Sequence, residues 1–335
     1  MALLALVIVF SLYVLGKAAD WLVDEAVELS ERSHIPTTVI GATVVSLGTT
    51  MPEAAVSVLA ALQGAPGLAL GNAVGSVICD TGLILGVACL ISPLRLDRNV
   101  VNRQGWIQVI AGFLLVLACW PWAAPMTAFV DGGNLSRPMG IAFLVALGAY
   151  MWQSIRWARQ DSAAVREAAE AHHHDEHDPL WLTLLKLLGA VAIVVLSAQV
   201  LIPAVTEAAI RMSIPQSIIA ATLVAFGTSL PELVTSVTAA RRGHGELAIG
   251  NVVGADILNV LFVSGAAAAA TPGGLHAGSH FFRVLFPAML FVLVVFRIGI
   301  WLSGKELRRP FGYVLLSAYA IYLIVSYLEP GSDMG

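Results

Sequence analysis

Residues 48–53 read GTTMPE and residues 227–232 read GTSLPE. Each hexapeptide lies inside an apolar stretch long enough to cross a bilayer, and each places a glutamate directly after a proline. Sliding the chain against itself by 179 residues extends the match without a gap: 40–86 aligns with 219–265, and 21 of the 47 positions are identical. Shared Leu and Val follow from an apolar composition alone. Thr43/Thr222, Gly48/Gly227, Thr49/Thr228, Pro52/Pro231, Glu53/Glu232, Ser57/Ser236, Gly71/Gly250, Asn72/Asn251 and Gly75/Gly254 do not, so the two segments form an internal repeat.

The rest of the chain sets the repeat in a membrane. Of 335 residues, 58% are hydrophobic and 12% charged, whereas soluble domains carry about a quarter charged residues. The fold class is therefore an all-α integral membrane protein. Apolar runs near the roughly 20 residues a spanning helix needs fall at 2–22, 36–62, 67–92, 104–121, 139–157, 180–204, 215–240, 247–270, 283–303 and 310–328, ten in all. The polar interval at 158–179, containing HHHDEHD, divides them five and five, so 1–157 and 180–335 are the two halves. Halves with an odd number of spans insert in opposite senses. Inverted repeats with helices interrupted near the midplane are the architecture of secondary transporters.

Charge placement gives sidedness. With the N-terminus outside, fourteen Lys and Arg residues fall on one side and three on the other, which makes the 158–179 loop cytoplasmic. The apolar N-terminus has no basic flank or small-residue cleavage site and reads as a first helix that stays. Cys79, Cys89 and Cys119 lie in apolar runs without metal-ligand spacing and read as packing residues. The histidine-rich loop reads as a solvated segment, with metal binding or pH sensing as its sharper alternative.

Within each copy, proline lacks an N–H and clashes with the carbonyl four residues back, so Pro52 and Pro231 loosen the turns holding Thr49 and Thr50, and Thr228 and Ser229. Freed carbonyls at membrane depth are tolerated only where protein or a hydrated cavity receives them. Two hydroxyls and a glutamate join them within one turn, a hard-oxygen set suited to Ca²⁺ or Na⁺ and not to soft metals. Intramembrane acids, at about 2.5–3.5 kcal/mol each, are functional by default. The following helix adds Ser76 and Asp80 four residues apart, matched by Ala255 and Asn259, each pair on one helix face. Glu53, Glu232 and Asp80 are thus expected in one cavity. Asn72 and Asn251 have an equally good structural reading, fixing helix contacts by hydrogen bonds.

With GTTMPE and GTSLPE followed by GNAVGS and GNVVGA, the sequence resembles the sodium/calcium exchanger branch of the calcium/cation antiporter superfamily. The resemblance covers both repeats and, through the ten-span layout, nearly the whole chain. It implies that Glu53 and Glu232 are the principal Ca²⁺ ligands, with Thr49 and Thr228 beside them. Thr50, Ser229 and Ser76, and carbonyls near Ser46 and Ala225, would serve flanking Na⁺ sites. Asp80 and Asn259 exchange the usual order of amide and acid between the repeats, and Ala255 stands where serine is usual. Asp256, opposite Val77 in the other copy, either compensates or faces a neighbouring helix. The resemblance implies an antiporter working as a monomer in a bacterial-type inner membrane and exporting Ca²⁺. Its partners are Ca²⁺, Na⁺ and the lipid bilayer, with neither cofactor nor nucleic acid.

Proton coupling, or K⁺ involvement, is the alternative within transport. From a different class, the DTG triplet at 80–82 matches the aspartic protease triplet; an intramembrane hydrolase needs two aspartates sharing a proton, and Asn259 holds the paired position.

Overall fold

The structure, a computed structural model, describes residues 2–169, 179–212 and 227–328. Its helices are α1 (Ala2–Ser33), α2 (Thr37–Thr49), α3 (Met51–Leu62), α4 (Pro66–Ile91), α5 (Arg98–Cys119), α6 (Arg137–Ala169), α7 (Leu180–Arg211), α8 (Leu230–Arg241), α9 (Gly245–Ala270), α10 (Phe281–Leu302) and α11 (Arg309–Leu328). Among the described residues, eight helices are long and apolar enough to cross a membrane. Helices α2 and α3, bent by 43° across Thr50, together meet the same length and apolarity requirement. The chain is thus a nearly all-helical, multi-pass membrane protein. The expected span at 215–240 is represented by α8; its first part, like the histidine-rich loop, lies outside the described residues.

Helix ends differ from the hydropathy reading for a local reason. Helix α1 runs on to Ser33 instead of stopping near residue 22. Its acidic extension stays helical because Trp21 Nε1 donates to Glu25 Oε1 at 2.9 Å and Glu28 pairs with Arg32 at 3.2 Å, both one turn apart. Helix α5 starts at Arg98, capped by the Asp97 carboxylate accepting from the Asn99 and Val100 amides. All three cysteines are buried and free, as packing residues should be.

Two short strand pairs tie the halves together. Strand β1 (Leu94–Arg95), after α4, pairs antiparallel with β4 (Glu306–Leu307); β2 (Gly133–Leu135), after α5, pairs antiparallel with β3 (Leu275–Ala277), after α9. Strands β1 and β3 follow the corresponding helices of the two repeats. Helix α5 is the one long helix between β1 and β2, followed by a short 3₁₀ turn at Pro125–Phe129, and its 22 residues rise about 33 Å, so β2 and its partner β3 lie at the opposite end of the bundle from β1. Corresponding points of the two copies therefore sit at opposite ends, which is an inverted arrangement.

The core of the bundle is made by close backbone approach. A Cβ on Gly250 of α9 would stand 2.2 Å from the Thr38 carbonyl oxygen, and one on Gly254 would stand 2.6 Å from the Ala42 backbone. These glycines let α9 lie directly on α2. In both repeats the second helix also loosens into a π-helical turn, Cys79–Ile84 in α4 and Asn259–Val263 in α9. Such turns widen a helix locally and recur at functional sites.

Candidate functional site

Thr50 and Ser229 occupy matching hinges, with φ,ψ of −81°, −3° and −83°, 10°. Each opens a new helix whose first turn contains the repeated proline, where the missing N–H would be unpaired in any residue. Glu53 and Glu232 follow in those same first turns, where the helix dipole favours an anion. Both are 1% exposed. The chain break thus holds a carboxylate in the first turn beyond each hinge, while the Thr50 and Ser229 carbonyls still accept from the Ala54 and Leu233 amides at 3.2 and 3.0 Å.

Helices α2, α3, α4, α8 and α9 are cross-linked, with the hinge before α8, by hydrogen bonds that repeat with the 179-residue offset. Thr228 donates to Asn72 Oδ1 at 3.3 Å, and Thr49 lies 3.5 Å from Asn251 Oδ1. Asn72 in turn donates to Ser57 at 3.0 Å, and Asn251 to Ser236 at 3.1 Å. Each asparagine therefore joins a hairpin of its own copy to the hinge of the other. The Thr49 hydroxyl also has its own preceding turn within reach, at 3.2 Å from the Val45 carbonyl and 3.3 Å from that of Ser46.

Between the hinges, Thr50 donates to Glu232 Oε1 at 3.2 Å. Asn259 donates to Asp80 Oδ2 at 3.3 Å. Ser229 lies beside the carboxylates of Glu53 and Asp80, and Glu53 is within electrostatic reach of both Glu232 and Asp80. Thr49, Thr50, Ser229, Ser46, Ser76, Asp80 and Asn259 are all buried. The structure thus brings the acids, hydroxyls and amide of the sequence reading into one region. Ala225 falls outside the described residues.

Many oxygens here have no protein partner: Glu53 Oε1 and Oε2, Glu232 Oε2, Asp80 Oδ1, Asn259 Oδ1, and the hydroxyls of Ser76 and Ser229. Buried polar groups are nearly always paired, and an isolated buried carboxylate is more costly still. A set composed of oxygen acceptors suits a hard cation of flexible coordination. Among the described residues no three His, Cys, Asp or Glu side chains form a metal cluster by themselves; the acids stand here among hydroxyl and amide oxygens.

Asp256 takes the second of its two expected readings, but its partners, and Thr235, escaped the sequence reading. Asp256 faces neighbouring helices: Thr81 of α4 donates to its Oδ2, and Gln108 Nε2 of α5 lies 2.5 Å from the same oxygen. The available signal was Gln104 and Gln108, two amides one turn apart in an apolar span. Thr235, buried with an unpartnered hydroxyl one turn beyond Glu232, was also passed over.

The sodium/calcium exchanger protein family model matches residues 3–156 and 182–328. Inner membrane protein YrbG of Escherichia coli is 31% identical over 340 residues, covering 98% of each chain. The sodium/calcium exchanger MaX1 of Methanosarcina acetivorans is 29% identical over 346 residues, covering 96% of this chain and 98% of its own. Among solved structures, the sodium-calcium exchanger NCX_Mj superposes with a TM-score of 0.79 at 25% identity, over 98% of this chain and 99% of that one. With an inverted, membrane-spanning fold, paired buried glutamates and a family match running through both halves, the chain belongs to the sodium/calcium exchanger protein family.

Proposed function

We propose that this chain is a secondary active antiporter exchanging Ca²⁺ for Na⁺ by alternating access, with Glu53 and Glu232 as the principal Ca²⁺ ligands. One observation carries the reading. The two glutamates are repeat-related and buried, and three of their four carboxylate oxygens have no hydrogen-bond partner. Two glutamates neutralise one Ca²⁺, with the hydroxyls and carbonyls of Thr49 and Thr228 completing its shell. Thr50, Ser229 and Ser76, and the carbonyls near Ser46 and Ala225, then serve Na⁺.

Asp80 adds a third negative charge, and Asn259 a neutral oxygen. Glu53, Glu232 and Asp80 are neutralised by three Na⁺ or incompletely by one Ca²⁺, so the two loads compete for the same carboxylates. Inverted copies supply the exchange of access: if the halves trade conformations, the cavity opens to the other side. Fourteen Lys and Arg residues on one side support an outside N-terminus and a cytoplasmic 158–179 loop, and Ca²⁺ export driven by inward Na⁺ is the direction proposed. The same inversion supports reading 1–157 and 180–335 as the two functional halves, acting as a monomer.

Proton coupling is the second reading, favoured by Ala255: buried, with a methyl where its repeat partner Ser76 has a hydroxyl, it offers Na⁺ one oxygen fewer. The test is ⁴⁵Ca²⁺ uptake into vesicles containing the purified protein and preloaded with Na⁺, K⁺, choline or acidic buffer. Uptake into Na⁺-loaded vesicles alone supports the Na⁺ reading. Uptake driven only by the pH gradient would replace it with the proton reading, and uptake in neither would remove antiport altogether.

A further inference from the structure

Lys17 is a cation inside the first apolar span, and the exchange site does not use it. A charged side chain in a membrane segment turns to a cavity, an opposite charge or the interface. Lys17 lines a cavity. A cleft of about 410 Å³ opens between α1 and the end of α8, a size typical of pockets that hold small molecules. Gly16, Lys17 and Asp20 form its wall on α1, and Thr238, Arg241 and Arg242 form the facing wall. Leu12 and Tyr13 complete it on the apolar side.

Two contacts fix the level of the cleft. Arg242 Nη1 donates to the Asp20 carbonyl at 2.7 Å, and Arg242 Nη2 pairs with the Asp24 carboxylate. Asp20 is therefore level with the turn that joins α8 to α9. That turn packs on β1, where a Cβ on Gly245 would stand 2.7 Å from the Arg95 amide nitrogen. Asp20 also begins the acidic part of α1, so the cleft straddles the boundary at which the apolar span gives way to charge. Lys17 lies three residues, about 4.5 Å, to the apolar side of that boundary.

The charges in the cleft select its occupant. Arg242 is engaged by Asp24. Lys17, Asp20 and Arg241 have no ion-pair partner among the described residues. The cleft thus offers two cations and one carboxylate. A simple anion would use the cations and leave Asp20 opposed to it. A headgroup of both signs uses all three, with a phosphodiester at Lys17 and Arg241 and an ammonium at Asp20. A carboxylate only accepts hydrogen bonds, so a primary ammonium satisfies it, whereas a quaternary one has no N–H to give. The apolar side points the same way. Leu6, Val9 and Tyr13 lead along one face of α1 to Lys17, and all three are exposed. In a bilayer that bare stripe is a track for an acyl chain.

We propose that the cleft between α1 and α8 binds one phospholipid whose headgroup carries a phosphodiester and a primary ammonium, as phosphatidylethanolamine does. Lys17 and Arg241 hold the phosphate, Asp20 holds the ammonium, and Leu6, Val9 and Tyr13 carry an acyl chain. The site is independent of the exchange reading, because it uses none of the buried oxygens assigned to cations. The lipid bridges α1 to the helix whose first turn contains Glu232.

Native mass spectrometry of the delipidated full chain in detergent tests this, with titrations of dioleoyl phosphatidylethanolamine, phosphatidylcholine and phosphatidylglycerol. Wild type is expected to bind one phosphatidylethanolamine at least about fivefold more tightly than either other lipid. Asp20→Asn should bring phosphatidylethanolamine down to the phosphatidylcholine level and leave phosphatidylcholine unchanged. Lys17→Gln and Arg241→Gln should each weaken both of these lipids alike, about three- to tenfold. Gly16→Leu should block all three lipids. A Cβ there meets nothing within 4 Å, so the new side chain fills the cleft without crowding the fold, and an unchanged melting temperature separates blocked binding from unfolding. Excess inorganic phosphate should not displace the lipid; displacement would overturn the assignment to a headgroup with a chain. Equal binding of phosphatidylethanolamine and phosphatidylcholine by wild type, or a preference for phosphatidylglycerol, would overturn the ammonium contact. A wild type that retains no lipid, or a Gly16→Leu variant that binds like wild type, would overturn the site.

Discussion

Asn259 donates its side-chain amide to Asp80 at 3.3 Å, and the two residues are the same position in the two copies of the repeat. A residue that contacts its own repeat counterpart marks where the pseudo-two-fold axis runs. The Thr228–Asn72 and Thr49–Asn251 contacts flank that axis as a related pair. An acid and an amide on the axis give the site one negative charge there, whichever copy carries it. Exchanging both residues, Asp80→Asn with Asn259→Asp, should therefore preserve Ca²⁺ exchange to within about tenfold. Asp80→Asn alone should flatten the Na⁺ dependence of ⁴⁵Ca²⁺ uptake, and an unchanged Hill coefficient would show that this charge is dispensable.

The asparagine bridges hold the hinges in register. Asn72→Ala removes bonds to Ser57, to the Glu53 carbonyl and to Thr228, leaving buried partners unpaired at about 1–3 kcal/mol. A lower melting temperature in detergent and slower exchange are expected, with Asn251→Ala behaving alike. Full stability in both variants would mean that the bridges contribute nothing.

Gly250 and Gly254 set how closely α9 lies on α2. Gly250→Ala places a methyl 2.2 Å from the Thr38 carbonyl oxygen, and such overpacking costs about 1–3 kcal/mol or more. Gly16→Ala on α1, where nothing lies within 4 Å of the added carbon, should be neutral or stabilising through helix propensity. Thermal melts of the two variants side by side check the contrast.

Ala255→Ser restores the hydroxyl that its repeat partner Ser76 carries. The half-saturating Na⁺ concentration for ⁴⁵Ca²⁺ exchange should fall about two- to tenfold, as expected for one added oxygen ligand worth roughly 0.5–1.5 kcal/mol. A proton-coupled protein would instead show no Na⁺ response to the same change.

Much of this was legible because the repeat reports itself. Gly48, Pro52 and Glu53 return at 227, 231 and 232 with no gap, so broken helices and paired acids could be read before any coordinates. Helix ends were less legible: hydropathy fades near residue 22, while the Trp21–Glu25 and Glu28–Arg32 contacts carry α1 on to Ser33. Asp256 was least legible. Its partners Thr81 and Gln108 are 175 and 148 residues away, and the repeat gives no guide because Val77 breaks the symmetry there. Only packing brings three helices together at that point.

The central claim is that Glu53 and Glu232 share one Ca²⁺. Anomalous diffraction at a long wavelength from crystals grown with Ca²⁺ tests it most directly. A single strong peak within about 2.3–2.6 Å of carboxylate oxygens from both glutamates is the expected result, absent in Glu53→Gln and Glu232→Gln. A Ca²⁺ peak elsewhere, or one bound by neither glutamate, would contradict it.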